Sequence, residues 1–113
     1  MSWSKELVAA SATPLILSVL AQGENYGYAI SKRVAELTGG EMQWTDGMLY
    51  PVLHRLERQR YVKSEWRVLE SGRRRKYYRL QKGGVKKLAE ERNRWEVVNN
   101  ALMSLWEPKP CLI

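Results

Sequence analysis

The chain has 113 residues, of which 19 are lysine or arginine and 12 are acidic, for a formal charge of +7 and a pI near 9.8. Such a length supports one domain with one modest core, and such a charge suits a polyanionic partner, either nucleic acid or an acidic membrane face. The lone cysteine, Cys111, rules out an internal disulfide framework and, with a single histidine, a Cys/His metal cluster. A reducing compartment is therefore expected, a cytoplasmic protein with neither metal nor cofactor.

The run LVAASATPLILSVLA, residues 7–21, has the hydrophobicity of a leader, but Glu6 spoils the positive region ahead of it and Pro14 interrupts its apolar core. It is too short to span a bilayer, so an N-terminal helix is expected. Thr13 before Pro14 has the form of an N-cap followed by a first-turn proline. This predicts a helix from there to Ala21, preceded by a separate turn from Ser4 to Ala10 or by a kinked continuation. Next, YGYAISKRVAEL places Ile30, Val34 and Leu37 at helical spacing, and Gly39 and Gly40 end that helix. In DGMLYPVLHRLERQ, Leu49, Val52, Leu53 and Leu56 form one stripe, while Gly47, Tyr50, Pro51, His54 and Arg58 fall on the other face. Thr45 or Asp46 caps this helix, and Pro51 lies near enough to its start to cost a single bond.

After Tyr61 the pattern changes to short strands. VKSEWRVLE and KYYRL flank the loop SGRRRK, making a basic hairpin with Arg73, Arg74, Arg75 and Lys76 at its tip. The final helix, from about Lys82 to Trp106, carries Leu88, Trp95 and Leu102 at seven-residue intervals, with Leu105 and Trp106 beyond, and Pro108 and Pro110 stop it. So much apolar surface exceeds what a chain of this size covers alone, and a homodimer is expected, with Trp3 docking on the partner chain. Residues 1–81 then form a DNA-binding domain and residues 82–113 a dimerisation helix with its tail.

Helix, helix, helix, basic hairpin, long helix is the order of a winged helix-turn-helix, a mainly α, α+β fold whose third helix enters the major groove. Gln43, Thr45, Asp46 and Gly47 at the helix start, Tyr50, His54 and Arg58 along its polar face, and Arg73, Arg74, Arg75 and Lys76 on the wing are the candidate DNA contacts. Each has a structural alternative: Tyr50 packs on the wing, Thr45 or Asp46 acts only as the cap, and the arginines form a solvated loop. Lys32 and Arg33 are weaker candidates. No nucleophile with a base, paired carboxylates or phosphate-cradling glycine loop supports an enzyme. A non-specific architectural nucleic-acid binder is the competing reading, and charge gathered at a hairpin tip argues against a membrane-surface module.

The series YGYAI at 26–30, MLYPVLHRLE at 48–57 and GRRRKYYRL at 72–80 resembles the PadR family of bacterial transcriptional regulators. With Trp95 on a single last helix, the chain is similar to the small branch that includes multidrug-sensing repressors. The resemblance implies a homodimeric winged helix on a pseudo-palindromic operator, usually a repressor released by a ligand. It also implies that Trp95 faces its dimer mate and stacks planar aromatic ligands, with Val98, Asn99, Leu7, Val8, Ser11 and Ser18 lining the site. On periodicity alone Trp95 fills a dimer core instead. Three departures from the family pattern stand out: Gln81 where a capping threonine is usual, Gly47-Met48 where a glycine-threonine pair is usual, and Gln59-Arg60 where the turn before the wing usually contains glycine.

Overall fold

The computed structural model describes residues 3–107; Pro108, Pro110 and Cys111 lie outside them. Seven elements follow one another: α1 (Lys5–Ala21), β1 (Asn25–Tyr26), α2 (Gly27–Leu37), α3 (Asp46–Arg58), β2 (Val62–Val68), β3 (Arg74–Leu80) and α4 (Lys82–Trp106). This is the mainly helical α+β winged helix-turn-helix read from the sequence.

Of the two forms expected for the N-terminal segment, a separate turn before a helix starting at Thr13 or a continuation, the structure has continuity. One helix runs through Pro14, its N-cap being Ser4, whose hydroxyl accepts the Leu7 N–H at 3.1 Å. Proline costs about 3 kcal/mol inside a helix, but Ile16, Leu17, Val19 and Leu20 beyond it are all buried. At roughly 1.5–3 kcal/mol for each large apolar side chain, that burial outweighs one lost bond. Thr13 is buried as well, and its hydroxyl oxygen accepts from Arg55 Nη2 of α3 at 2.9 Å.

The core gathers the inward faces of four elements: Ile16, Leu17 and Leu20 from α1, Ile30 and Val34 from α2, Leu49, Leu53 and Leu56 from α3, and Val62 and Tyr78 from the sheet. The sheet has three antiparallel strands in the order β1-β3-β2. One edge strand, β1, is only two residues long, pairing Asn25 with Tyr78 and Tyr26 with Tyr77. Pairing of Val62 with Leu80 through Val68 with Arg74 sets the hairpin register. β3 begins at Arg74, so Arg74, Arg75 and Lys76 are strand residues and not loop residues as the sequence suggested.

Two joints hold the wing and α4 to the helices. At the end of α3, Arg60 adopts the left-handed conformation, φ 63°. There the Tyr61 N–H reaches the Leu56 carbonyl and the Arg60 N–H the Glu57 carbonyl, both at 3.0 Å. This is a Schellman ending in which arginine takes the position that normally favours glycine. At the start of α4, Gln81 occupies the N-cap position with no side-chain capping bond. The Tyr61 carbonyl accepts the Gln81 N–H at 2.9 Å. Gly84 passes directly over that carbonyl: a Cβ there would stand 2.9 Å from its carbon and collide with its oxygen. From this joint α4 extends well past the body, giving the molecule extents of 70 × 31 × 22 Å.

Candidate functional site

Two surfaces gather the residues singled out in the sequence. The first lies between α3 and the wing. Tyr50 and His54 on α3 face Trp66, Arg74 and Lys76 on the hairpin across a groove of about 620 Å³, with Tyr26, Gly27 and Tyr28 closing one end. Two-residue periodicity and the strand register put Val62, Ser64, Trp66 and Val68 on the same sheet face as Leu80, Tyr78, Lys76 and Arg74. Near the body that face is core; farther out it is solvent-exposed and carries two cations. Arg74 lies over the Trp66 ring at 4.8 Å from the centroid, and the Lys76 amine is 5.8 Å from the same centroid.

Tyr50 is half-buried, and its ring sits against Gly27, where any side chain would overlap the phenol. Tyr50 thus packs on the start of α2, and it also borders the groove that the wing lines. Its ring is 6.2 Å from that of His54, which is exposed. Thr45 takes the N-cap position of α3, yet only its backbone carbonyl accepts, from Met48 and Leu49 at 3.0 Å. Thr45, Asp46, Gly47, His54 and Arg58 are all exposed. Gln43 is engaged locally, its amide donating to the Gly40 carbonyl at 3.1 Å.

Arg75 points to the opposite sheet face from Arg74 and Lys76. It stacks on Tyr26 at 3.9 Å, and hydrogen bonding to the Tyr77 hydroxyl raises its pKa further above an already high value. The wing arginines are placed differently: Arg73 is in the turn, Arg74 lies over Trp66, and Arg75 alternates to the other strand face and stacks on Tyr26, although it too borders the groove. That other side is pinned by a two-pronged pair between Arg67 and Glu24 at 2.6 and 2.7 Å. Arg67 also stacks on Tyr77 at 4.5 Å. Its guanidinium, through that hydrogen-bonded pairing, holds the Glu24 carboxyl below the usual carboxylate range. Tyr78, buried at the root of the wing, has a hydroxyl without a hydrogen-bond partner. Burial, with smaller contributions from Glu57 and Tyr50, pushes its pKa up to about 12.

The second surface is an almost wholly apolar cavity of about 390 Å³ lined by Trp3, Leu7, Ser11, Pro14, Leu15, Ser18, Thr38, Met42 and Trp95. Leu7, Ser11, Pro14 and Ser18 follow one stripe of α1, and Trp95 closes the cavity from α4. Val8, rotated by about 100° from Leu7, instead borders a separate depression with Ala12, Met48 and Val52. Val98 meets Trp95 and Arg94 in a shallow hollow, and Asn99 is exposed on α4 away from the cavity. Within one chain, then, Val8, Val98 and Asn99 do not line this cavity.

Two of the residues assigned to the dimer also have partners within the chain. Leu88 packs on the core of its own chain. The indole N–H of Trp3 donates to the Glu41 carbonyl at 2.9 Å, which docks it on its own helix-turn-helix turn. Leu102 is half-buried, whereas Leu105 and Trp106 are exposed. The sequence reading missed Thr38 and Met42 as cavity walls, because a turn between helices has no periodicity to read. It also assigned no role to Trp66 or Tyr28. Among the described residues no group of acidic, histidine or cysteine side chains is arranged to hold a metal, and no helix is long and apolar enough to cross a membrane.

The arrangement has close counterparts. A transcriptional regulator from Clostridium thermocellum superposes with a TM-score of 0.81 at 29% identity, over 94% of this chain and all of that one. A PadR family transcriptional regulator from Eggerthella lenta is 34% identical, with a TM-score of 0.76 over 92% of this chain and 88% of its own. An uncharacterised protein of Lysinibacillus sphaericus is 27% identical over 97 residues, 86% of this chain and 89% of that protein. The model of the PadR-like transcriptional regulator family matches residues 16–90, from within α1 through the wing into α4. The chain belongs to the PadR-like family of transcriptional regulators.

Proposed function

We propose that this DNA-binding transcriptional regulator is a homodimeric repressor released from a pseudo-palindromic operator by a planar aromatic ligand. Residues 1–81 read the DNA, and residues 82–113 supply most of the dimer contact. The α3 face bearing Tyr50, His54 and Arg58 enters the major groove, while Thr45, Asp46, Gly47, Gln43 and the wing cations set its register on the backbone. Two-fold symmetry spaces the two recognition helices roughly 34 Å apart.

Ligand release rests on one observation, the apolar cavity under Trp95. Its volume and lining suit a flat, hydrophobic molecule held by stacking and area burial. Its walls include Thr38 and Met42, which bracket the turn between α2 and α3. The Thr38 hydroxyl accepts the Met42 N–H at 3.0 Å, so a ligand against this wall presses on the segment that orients the recognition helix. Such a ligand weakens DNA binding only by as much as it prefers the DNA-incompetent arrangement. A dimer is supported by the exposed Val97, Val98, Leu105 and Trp106 on the outer half of α4.

The test titrates a panel of planar aromatic compounds while following both tryptophan emission and retention of a duplex selected from a random library by the wild-type protein. Saturable quenching with parallel duplex release, both lost in a Trp95→Ala variant that still dimerises, is the expected result. Quenching without release would refute the ligand-gated reading and leave a DNA-binding regulator. If the duplex is held no more tightly than random sequence, the architectural alternative holds instead.

A further inference from the structure

The wing carries an aromatic surface that neither its fold nor its charge requires. Along one face of β2 the side chains pass from Val62 and Ser64 to Trp66 and Val68, and exposure rises from 1% at Val62 to 55% at Trp66 and 73% at Val68. The core ends at Tyr78, so the two outer side chains do not stabilise it. An outer hairpin that needed only solubility and positive charge would carry polar residues at these sites. Instead an indole and an isopropyl group share this strand face, and the indole borders the groove facing α3. The cations of Arg74 and Lys76 lie over the same indole at 4.8 and 5.8 Å from its centroid, so two charged groups adjoin an apolar plate.

A plate adjoined by two cations is complementary to a repeating partner with an apolar ring between two anions. In one strand of duplex DNA, the deoxyribose between successive phosphates has that form. We propose that Trp66, with Val68, packs against a deoxyribose of the DNA backbone while Arg74 and Lys76 take the phosphates on either side. This makes Trp66 a DNA-contact residue that acts without charge. The inference rests on the DNA-binding reading of the α3 and wing groove. It divides the wing's contribution into two physically distinct parts. Arg74 and Lys76 displace counterions, so their part falls with salt. Trp66 excludes water from apolar area, so its part does not.

The experiment measures affinity between about 50 and 200 mM salt for Trp66→Ala, Trp66→Phe and the double variant Arg74→Gln/Lys76→Gln. The probes are a duplex selected by the wild-type protein and a scrambled duplex of equal length. Circular dichroism and thermal melting establish that each variant is folded. Trp66→Ala is expected to lose about tenfold in affinity on both duplexes, with the slope of log K against log salt unchanged, and Trp66→Phe to recover most of that loss. The double variant is expected to flatten the slope by about 2, near 0.9 for each phosphate released.

Affinity unchanged in Trp66→Ala, or a loss that vanishes at high salt, would overturn the proposal. A loss confined to the selected duplex would also overturn it, because Trp66 would then be reading a base. Should the wild-type protein select no duplex at all, the failure would lie with the DNA-binding reading itself, so the two failures are distinguishable.

Discussion

Gly84 offers a sharp test of how the wing is joined to the long helix. In Gly84→Ala the new methyl group cannot coexist with the Tyr61 carbonyl, which lies 2.9 Å away at its carbon and closer at its oxygen. That carbonyl is fixed by the Gln81 N–H and by the turn closing α3, so the helix has to move. Forcing a methylene into a packed site costs about 1–3 kcal/mol, and loosening the Gln81 bond adds about 0.5–1.5 kcal/mol. Replacing a helical glycine by alanine returns about 1 kcal/mol. The net loss is roughly 1–3 kcal/mol, which at about 4 °C per kcal/mol lowers the melting temperature by about 4–12 °C. Gly83→Ala is the control. Its Cβ would lie 3.2 Å from the Arg60 carbonyl oxygen, a contact that small shifts relieve, so its effect should stay within about 1 kcal/mol of zero. Melts followed by circular dichroism at one fixed chain concentration decide the matter, since any self-association would make the midpoint depend on concentration. If Gly84→Ala melts with or above the wild type, the close approach at this joint is wrong.

Three other outcomes follow from the geometry. Arg60→Gly should raise stability by about 0.5–1 kcal/mol in chemical denaturation, because a left-handed φ costs an L-residue about 1–2 kcal/mol and glycine gives back part of this in chain entropy. Tyr78→Phe removes a buried hydroxyl with no partner and should be neutral or stabilising at pH 7; a loss above about 1 kcal/mol would reveal a bond to that oxygen. Its raised pKa means that the neutral phenol's contribution is present in full below the ordinary value of 10.0 and is lost as pH climbs through about 12. Alkaline unfolding should therefore come at higher pH in the phenylalanine variant. Glu24→Gln should speed amide exchange in β2 without lowering the midpoint of the core. In the wild type the same loosening should appear as pH falls through the Glu24 value, which lies below 4.5, because the pairing with Arg67 belongs to the ionised carboxylate.

Much of the scaffold was legible because its periodicities are strong. Ile30 with Val34, and Leu49 with Leu53 and Leu56, lie on buried faces as their spacing predicts. What escaped was set by contacts between distant segments. β1 is too short to show any alternation and exists only because Asn25 and Tyr26 find the free edge of β3. Pro14 looked like a helix start because the burial that overrides it comes from α2, α3 and the sheet. The early start of β3 was hidden by a run of arginines that carries little strand preference; their stacking on Trp66 and Tyr26 becomes visible only once the hairpin is paired. Arg60, standing where glycine is usual, gave no sign in composition that it would adopt a positive φ. Within the candidate sites, Leu7, Ser11, Ser18 and Trp95 gather around one cavity, whereas Val8 is turned aside by its place on the helix.

The order of the strands also bears on how the chain is made. The central strand, β3, is the last of the three to emerge during synthesis, and both of its neighbours must wait for it. Asn25 has no partner until Tyr78 has left the ribosome, and the same tyrosine completes the core that α1 began some sixty residues earlier. A nascent chain stopped before Arg74 holds three helices with an open seam and an unpaired β2, the kind of edge on which chains associate. The domain thus becomes able to close only as α4 begins to appear. The body that binds DNA and the helix that extends from it become available almost together.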